Sequence, residues 1–246
     1  MSQDWIGSGE FRSSTTTQDL KLRLVKGDEV TLTAALVESR FIFEGDIVLP
    51  MPLEEGTAIV GQQYRWPDSL VPYEIAPFLP NPERIAEAIA EWEATSKIRF
   101  IARIAAKANQ YPNYVRFEDQ GGCFSSVGMA GGKQIISLGP NCTKGNAIHE
   151  IGHTLGLWHE QSRKDRDSFV TIVWQNIDAA MRHNFDQHVS DGDDVGPYDY
   201  GSIMHYPRTA FSVNGRDTIV PKNNTPIGQR EKLSQGDISA VAQLYP

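Results

Sequence analysis

The sequence is poor in cysteine, has no long apolar run and carries no excess of positive charge. Two cysteines among 246 residues are too few for a disulfide scaffold or a four-cysteine zinc site. The apolar runs fall short of the roughly 18 residues that a membrane-spanning helix needs. With 23 basic and 31 acidic residues, the net charge of −8 argues against a nucleic-acid binder. We therefore expect neither nucleic acid nor a membrane as a partner.

The amino terminus lacks the basic start and the apolar stretch of a secretory signal. Gly7–Phe11 reads as a linker or cloning scar as readily as a natural polar tail, and we leave it out of the fold prediction. A signal can have been removed from such a chain, so its absence does not exclude secretion.

Composition and charge divide the chain into two parts. The content of 40% hydrophobic and 22% charged residues is that of a globular protein. Residues 1–57 hold 5 basic and 10 acidic residues, a net charge of 5 − 10 = −5, and so carry most of the acidity. Pro50–Thr57 has the composition of an exposed connector. We expect a leading segment, residues 1–57, and a main domain, residues 58–246.

Periodicity and turn residues predict a mixture of strands and helices in the main domain. Gln62–Ile75 alternates weakly and contains Pro67 and Pro72, which predicts an edge strand. Asn81 and Pro82 predict the cap and the first residue of a helix. Further strands are expected at Ile98–Ile104, Tyr114–Phe117 and Gln134–Leu138, and further helices at Asn141–Gly156 and Ser234–Leu244.

The most informative segment runs from His149 to His159. His149 and His153 are four residues apart, so a helix presents both imidazoles on one face, where they can share a metal ion. Glu150 follows the first ligand and points toward the open side of that metal. Gly156 can adopt a positive φ, which ends the helix and returns His159 as a third ligand. Three histidine nitrogens suit Zn²⁺ and leave a position for water, as in catalytic zinc sites.

A second feature lies downstream, where Met204 stands within Ser202–Tyr206. A methionine turn beneath a three-histidine zinc site is the expected companion of this long motif. Alone, Met204 would be interpreted as a core residue. His183 and His188 belong to no such pattern, and we interpret them as ordinary surface residues.

Residues 149–160 (HEIGHTLGLWHE) and 202–206 (SIMHY) resemble the astacin family of metzincin zinc endopeptidases. Glu160, directly after the third histidine, separates astacins from other metzincins, and residues 217–222 and 227–238 are also similar to the family pattern. The resemblance implies a mixed α/β, two-lobed, zincin-like catalytic domain preceded by a short propeptide. Its upper lobe would be a mixed sheet backed by helices, and the zinc helix would form the floor of the cleft below.

The resemblance also implies roles for individual residues. The implied zinc ligands are His149, His153 and His159. Glu150 would be the general base for a zinc-activated water, with Met204 and Gly156 as structural support. Tyr206 would be a further zinc ligand that swings away on substrate binding and helps to hold the transition state. Glu160 would meet the mature amino terminus inside the protein.

Phe43–Asp46 resembles the FxGD motif of astacin propeptides. The resemblance makes Asp46 a zinc ligand that displaces the catalytic water in a latent zymogen, while Gly45 allows a close approach of the backbone. Taken alone, a Gly-Asp pair is more often a turn. Activation cleavage is expected near residues 56–58, and the latent chain is expected to be a monomer inhibited by its own propeptide.

Cys123 and Cys142 match one of the two disulfides of astacins, with two buried free thiols as the alternative. A disulfide implies an oxidising compartment, so we expect a secreted protein. Lys97 stands where astacins usually carry the first cysteine of the second bridge, and the chain ends without its partner. We therefore expect that bridge to be lost, and a catalytic domain with its propeptide and no further module.

Three alternatives to a zinc endopeptidase remain open. They are an inactive relative that binds peptides, a metzincin of another subfamily, and a small-molecule hydrolase with the same zinc centre. Glu150 argues against the first, and Glu160 with Tyr206 against the second. Astacins often favour acidic residues just after the scissile bond; Arg230, within Thr225–Lys232, is the candidate basic group, with a solvated surface arginine as the alternative.

Overall fold

The computed structural model describes residues 10–23, 29–49, 62–188 and 194–246. The expected activation cleavage near residues 56–58 lies outside the described residues. Among the described residues, no helix is long and apolar enough to cross a membrane.

The leading segment folds as a four-stranded antiparallel sheet in sequential order. Its strands are β1 (Thr17–Arg23), β2 (Glu29–Val37), β3 (Arg40–Phe43) and β4 (Ile47–Leu49). Phe43 and Ile47 are buried in an apolar cluster that Trp158 of the main domain packs against. The start of β4 also pairs in parallel with Ser125, whose backbone bonds Asp46 and Val48 at 2.9 and 2.8 Å. The leading segment is therefore attached to the main domain by both apolar and backbone contacts.

The main domain contains a five-stranded mixed sheet. Its strands are β5 (Leu70–Ile75), β6 (Arg99–Ala102), β7 (Tyr114–Glu118), β8 (Cys123–Phe124) and β9 (Lys133–Leu138), in the order β6-β5-β7-β9-β8. Only β8 runs antiparallel to its neighbour. The prediction of an edge strand at 62–75 was wrong, because β5 lies between β6 and β7. Pairing of β5 with β7 begins only at Tyr73, so Pro72 has no partner residue in β7. A proline, which has no N–H to donate, is therefore tolerated at this point of a central strand.

The described residues of the main domain contain three α-helices, which share an apolar cluster with this sheet. They are α1 (Glu83–Thr95), α2 (Lys144–Thr154) and α3 (Gln235–Leu244). Capping boxes of Thr143 with Asn146 and of Ser234 with Asp237 fix the starts of α2 and α3. The start of α1 differs from the prediction: Pro82 occupies the cap position, and Asn81 has a left-handed φ of 49°.

Two large apolar clusters correspond to two lobes of the main domain. The upper one joins the five-stranded sheet to all three helices; in it Trp92 of α1 donates from Nε1 to the carbonyl of Ile148 in α2 at 3.1 Å. The lower one includes the two-stranded sheet of β10 (Val170–Ile172) and β11 (Ile219–Pro221), together with Tyr206. Helix α2 therefore ends beside the cleft between the lobes.

Candidate active site and metal centre

Three histidines converge where α2 ends. His149 and His153 lie on one face of α2, with ring centroids 4.7 Å apart. The chain then turns at Gly156, whose φ of 105° favours glycine, and brings the His159 ring to 4.7 Å from that of His153. The ligand atoms of these histidines and of Asp46 all lie within 4.8 Å of one another, in a fully buried group. The predicted three-histidine cluster is therefore present.

The outer nitrogen of each ring is held by a hydrogen-bond acceptor. Nδ1 of His149 lies 2.8 Å from the carbonyl of Ile203, and Nδ1 of His153 lies 2.8 Å from the carbonyl of Leu157. Nδ1 of His159 lies 2.7 Å from Oε2 of Glu44. Such contacts fix the tautomer and aim each Nε2 inward as a lone-pair donor to a metal.

Asp46 projects into the centre of the histidine cluster. Its Oδ2 lies 3.2 Å from Nε2 of both His149 and His159, and its Oδ1 lies 3.6 Å from Nε2 of His153. Burial would raise the pKa of Asp46, but the charge of His159 and the close Nε2 atoms of His149 and His159 hold it well below its ordinary value. A carboxylate thus lies at the point toward which the three rings are directed.

Several buried polar atoms at this centre have no hydrogen-bond partner in the described part of the chain. They are Oδ1 of Asp46, Nε2 of His153 and both carboxylate oxygens of Glu150. Orphaned buried polar atoms are rare in folded proteins and call for an ion or water. Three imidazoles and a carboxylate are a normal donor set for Zn²⁺, so the residues present fit this metal.

Glu150 follows the first histidine and is completely buried beside the cluster. Burial, then the nearby carboxylates of Asp46 and Glu10, raise its pKa well above the ordinary value. A raised pKa makes the ionised carboxylate a stronger proton acceptor, which suits a general base.

Tyr206 lies beside the cluster, and its role as a further zinc ligand stays a prediction. Its ring centroid is 4.6 Å from that of His159, and its hydroxyl donates to the backbone carbonyl of Glu44. In this state the phenol therefore bonds the leading segment. Met204 lies under α2, close enough that a Cβ on Gly152 would come within 2.7 Å of its sulfur.

Glu160, directly after His159, is half-buried and faces a cavity of about 390 Å³. Its carboxylate accepts from the backbone N–H of Asp199 at 2.7 Å and lies 3.7 Å from Arg163. Burial raises its pKa to about 8. No amino terminus is among the described residues near it, so its expected partner stays a prediction.

The structure corrects the interpretation of His188 as a surface residue. His188 is buried, and its Nε2 lies 3.1 Å from Oε1 of Glu44, which also accepts from the Ser162 hydroxyl. Burial would raise the pKa of Glu44, but the charge of His188 and hydrogen bonds from His159 and His188 lower it to about 2. No sequence pattern links His188 to the motif, because the two meet only through the fold. His183, in contrast, is half-buried.

The structure also corrects the exclusion of Gly7–Phe11 from the fold. Residues 7–9 lie outside the described residues, but Glu10 and Phe11 have defined contacts with the main domain. Glu10 forms an ion pair with Arg230 at 2.5 Å, and Phe11 is buried against Tyr206. Arg230 is therefore half-enclosed in the cleft and is no solvated surface residue.

Cys123 and Cys142 form a disulfide, with their Cα atoms 6.0 Å apart, and no free cysteine remains. The bridge joins β8 to the loop before α2. It thus connects the edge of the sheet to the start of the helix that carries two histidines.

A three-histidine centre at the end of a helix, beneath a mixed sheet and above a methionine turn, defines a zincin-type metalloprotease domain. The chain belongs to the astacin family of peptidases, whose family model matches residues 58–246. The astacin resemblance and the mixed α/β fold predicted from the sequence are thereby confirmed.

Several known proteins are similar to this chain. Astacin-like metalloendopeptidase of Mus musculus is 38% identical over 220 residues, which are 85% of this chain and 48% of that protein. Zinc metalloproteinase nas-4 of Caenorhabditis elegans is 38% identical over 219 residues, 82% of this chain and 68% of that protein. The structure of high choriolytic enzyme 1, a hatching enzyme zinc-protease from the medaka Oryzias latipes, is 37% identical with a TM-score of 0.66, covering 74% of this chain and 92% of that chain. The chain spans about half the length of the mouse relative.

Proposed function

We propose that this chain is a zinc metalloendopeptidase in its latent form, with Asp46 blocking the metal. The observation that carries the proposal is the convergence of the Asp46 carboxylate on the inner nitrogens of three histidines. Zinc itself, held by His149, His153 and His159, is the cofactor of the family to which the chain belongs. The substrates would be proteins or peptides.

Zn²⁺ held by His149, His153 and His159 would polarise the scissile carbonyl and lower the pKa of a water molecule toward about 7. Glu150, whose buried carboxylate has a raised pKa and no hydrogen-bond partner among the described residues, would take the proton from that water and pass it to the leaving amine. Tyr206, once released from the carbonyl of Glu44, would donate its hydroxyl to the oxyanion of the tetrahedral intermediate. No covalent acyl-enzyme is needed.

Latency follows from the contacts of the Glu44–Asp46 turn. Asp46 would occupy the position that water needs, and the carbonyl of Glu44 would hold Tyr206 away from it. Residues 1–57 would thus be a propeptide and residues 58–246 the catalytic domain, separated by cleavage near 56–58. The propeptide acts within its own chain, so a monomer is sufficient for inhibition.

The Cys123–Cys142 disulfide supports secretion, since such bridges persist in oxidising compartments. Glu160 is proposed to receive the new amino terminus after cleavage, in the cavity beside it. Arg230 is proposed to favour acidic residues just after the scissile bond, because its guanidinium lies in the cleft and already binds a carboxylate.

The test is casein or quenched-peptide hydrolysis by the uncleaved chain and its Asp46→Ala variant. The variant should cleave without prior activation, and a zinc chelator should abolish this. Asp46→Ala combined with Glu150→Gln is the matched control, and it should bind zinc but cleave nothing. An Asp46→Ala variant that binds zinc and remains as silent as the parent would overturn the proposal.

A further inference from the structure

Residues 10–12 lie beside the turn that carries Asp46, although that turn is more than thirty residues further along the chain. Arg12 donates its backbone N–H to the carbonyl of Gly45 at 2.6 Å, so this amino-terminal segment lies directly against the Asp46 turn. The Arg12 guanidinium donates to the carbonyl of Gln120 in the main domain at 2.9 Å. The segment is therefore bound to the main domain through contacts of its own.

Two side chains of this segment, those of Glu10 and Phe11, contact the main domain near the metal centre. The contact of Glu10 joins opposite charges. Oε1 of Glu10 lies 2.5 Å from Nε of Arg230, and the two side chains are only 21% and 12% exposed. Arg230 is held rigidly, since its Nη1 donates to the carbonyls of Ile203 and His205 at 2.8 and 3.0 Å. Nη2 of Arg230 is buried with no hydrogen-bond partner among the described residues. A fixed, largely enclosed guanidinium of this kind needs a carboxylate, and Glu10 supplies it.

Arg230 is also close to the metal centre. The carbonyl of Ile203 accepts from Arg230 and lies 2.8 Å from Nδ1 of the ligand His149. Arg230 and His149 therefore share one backbone carbonyl as a partner, and a carboxylate bound to Arg230 lies close to this zinc ligand. A peptide side chain in this position would belong to a residue near the bond being cleaved.

The second contact is aromatic. Phe11 is 1% exposed, and its ring centroid lies 4.7 Å from that of Tyr206 and 5.4 Å from that of Phe211. Aromatic contacts at such distances, here tilted by 56° and 32°, add to the energy of burying the ring. Phe11 thus fills an apolar site next to the tyrosine that would stabilise the oxyanion, and it packs Tyr206 into its bond with the leading segment.

We propose that Glu10–Arg12 is a second inhibitory contact, separate from Asp46, which fills a cleft subsite suited to an acidic side chain followed by an aromatic one. This inference rests on the proposed peptidase function and deepens it. The segment would compete with substrates for Arg230 and would hold Tyr206 in its inactive position. Removal of Asp46 alone would then leave the enzyme partly inhibited, and the free cleft would bind peptides with an acidic-aromatic pair.

The activity test compares Asp46→Ala with the triple variant that also carries Glu10→Gln and Phe11→Ala. We expect the triple variant to show a value of kcat/KM at least about fivefold higher, mainly through a lower KM. Asp46→Ala with Glu38→Gln is the control, because Glu38 is an exposed partner of Arg12 at 3.3 Å outside the subsite. It should match Asp46→Ala. Equal kcat/KM for the triple variant and Asp46→Ala would overturn the proposal.

A binding test works even if the chain proves not to be a peptidase. The host is the full chain with Glu10→Gln and Phe11→Ala, and the probe is a fluorescent peptide with the sequence of residues 10–16. Fluorescence anisotropy should show saturable binding, weakened about tenfold or more when Glu is replaced by Gln in the probe or when Arg230 is replaced by Gln in the host. Absence of binding, or binding that ignores both changes, would contradict the proposed subsite.

Discussion

Glu44 and Asp46, separated by one glycine, place their carboxylates on opposite nitrogens of the same imidazole, that of His159. Oε2 of Glu44 lies 2.7 Å from Nδ1, and Oδ1 of Asp46 lies 3.1 Å from Nε2. The turn at Gly45, with φ of 77°, makes this arrangement possible. The third zinc ligand is therefore bracketed by two negative charges from the leading segment, and latency should depend on the whole turn rather than on Asp46 alone.

Gly45→Ala should release activity from the uncleaved chain. A Cβ at this position would lie 2.7 Å from Cζ of Phe211 and 3.2 Å from Cβ of Phe11, and φ would be strained. We expect peptidase activity above that of the parent, measured with a quenched peptide before any proteolysis. Gly131→Ala is a matched control, since Gly131 also has a positive φ of 86° but nothing within 4 Å of the added Cβ. Equal silence of both variants would show that the turn tolerates the methyl group.

Glu44→Gln should weaken latency less than Asp46→Ala does. The amide keeps the shape and can still accept from Ser162, but it loses the charge that His159 and His188 stabilise. We expect a low, measurable activity in the uncleaved variant and faster activation by a test protease. His188→Gln should act in the same direction, because it removes a partner of the same carboxylate. Variants that are activated as slowly as the parent would argue that this contact adds nothing.

Glu150→Gln and His153→Ala should separate chemistry from metal binding. Glu150 is no member of the converging ligand group, so its amide variant should retain one zinc per chain and lose roughly 10²–10⁴-fold in kcat after propeptide removal. His153→Ala removes a ligand and should lower both zinc content and thermal stability. Zinc content by atomic emission and Tm with and without chelator distinguish the two. Loss of zinc from Glu150→Gln would place Glu150 among the ligands.

Removal of the disulfide should destabilise the domain. Replacing Cys123 and Cys142 by Ser opens a loop with a sequence separation of 19. We expect the free energy of unfolding to fall by about 2–4 kcal/mol. Urea denaturation of both forms measures this, and the same difference should disappear when the parent is studied under reducing conditions. An unchanged midpoint would mean that packing of β8 and α2 suffices without the bridge.

The zinc cluster could be predicted from the sequence because its geometry is local. The spacing of His149 and His153 and the glycine turn before His159 determine the arrangement almost without long-range information. Glu10, Glu44 and His188 could not be placed in the same way. Glu10 and Glu44 precede the motif by more than a hundred residues, and His188 lies in a loop with no recognisable pattern. Only the folded structure brings these residues close to the metal centre.

Errors in the fold prediction have a similar origin. Pro72 predicts an edge strand when the strand partners are unknown. In the structure β5 is a central strand, and Pro72 is tolerated because pairing with β7 begins one residue later. Asn81 reads as a helix cap, but its left-handed backbone moves the helix start by one residue. Local chemistry identified the elements in both cases, whereas their neighbours determined position and boundaries.

The start of β4, in the leading segment, pairs in parallel with Ser125 of the main domain. Backbone groups of Ser125, just beyond the short edge strand β8, are bonded by Asp46 and Val48. If cleavage releases the leading segment, as proposed, these groups would become unpaired donors and acceptors on a sheet edge, which an extended peptide would satisfy by strand addition. Release of the leading segment would thus expose both the metal centre and, beside it, an unpaired strand edge that aligns a substrate peptide.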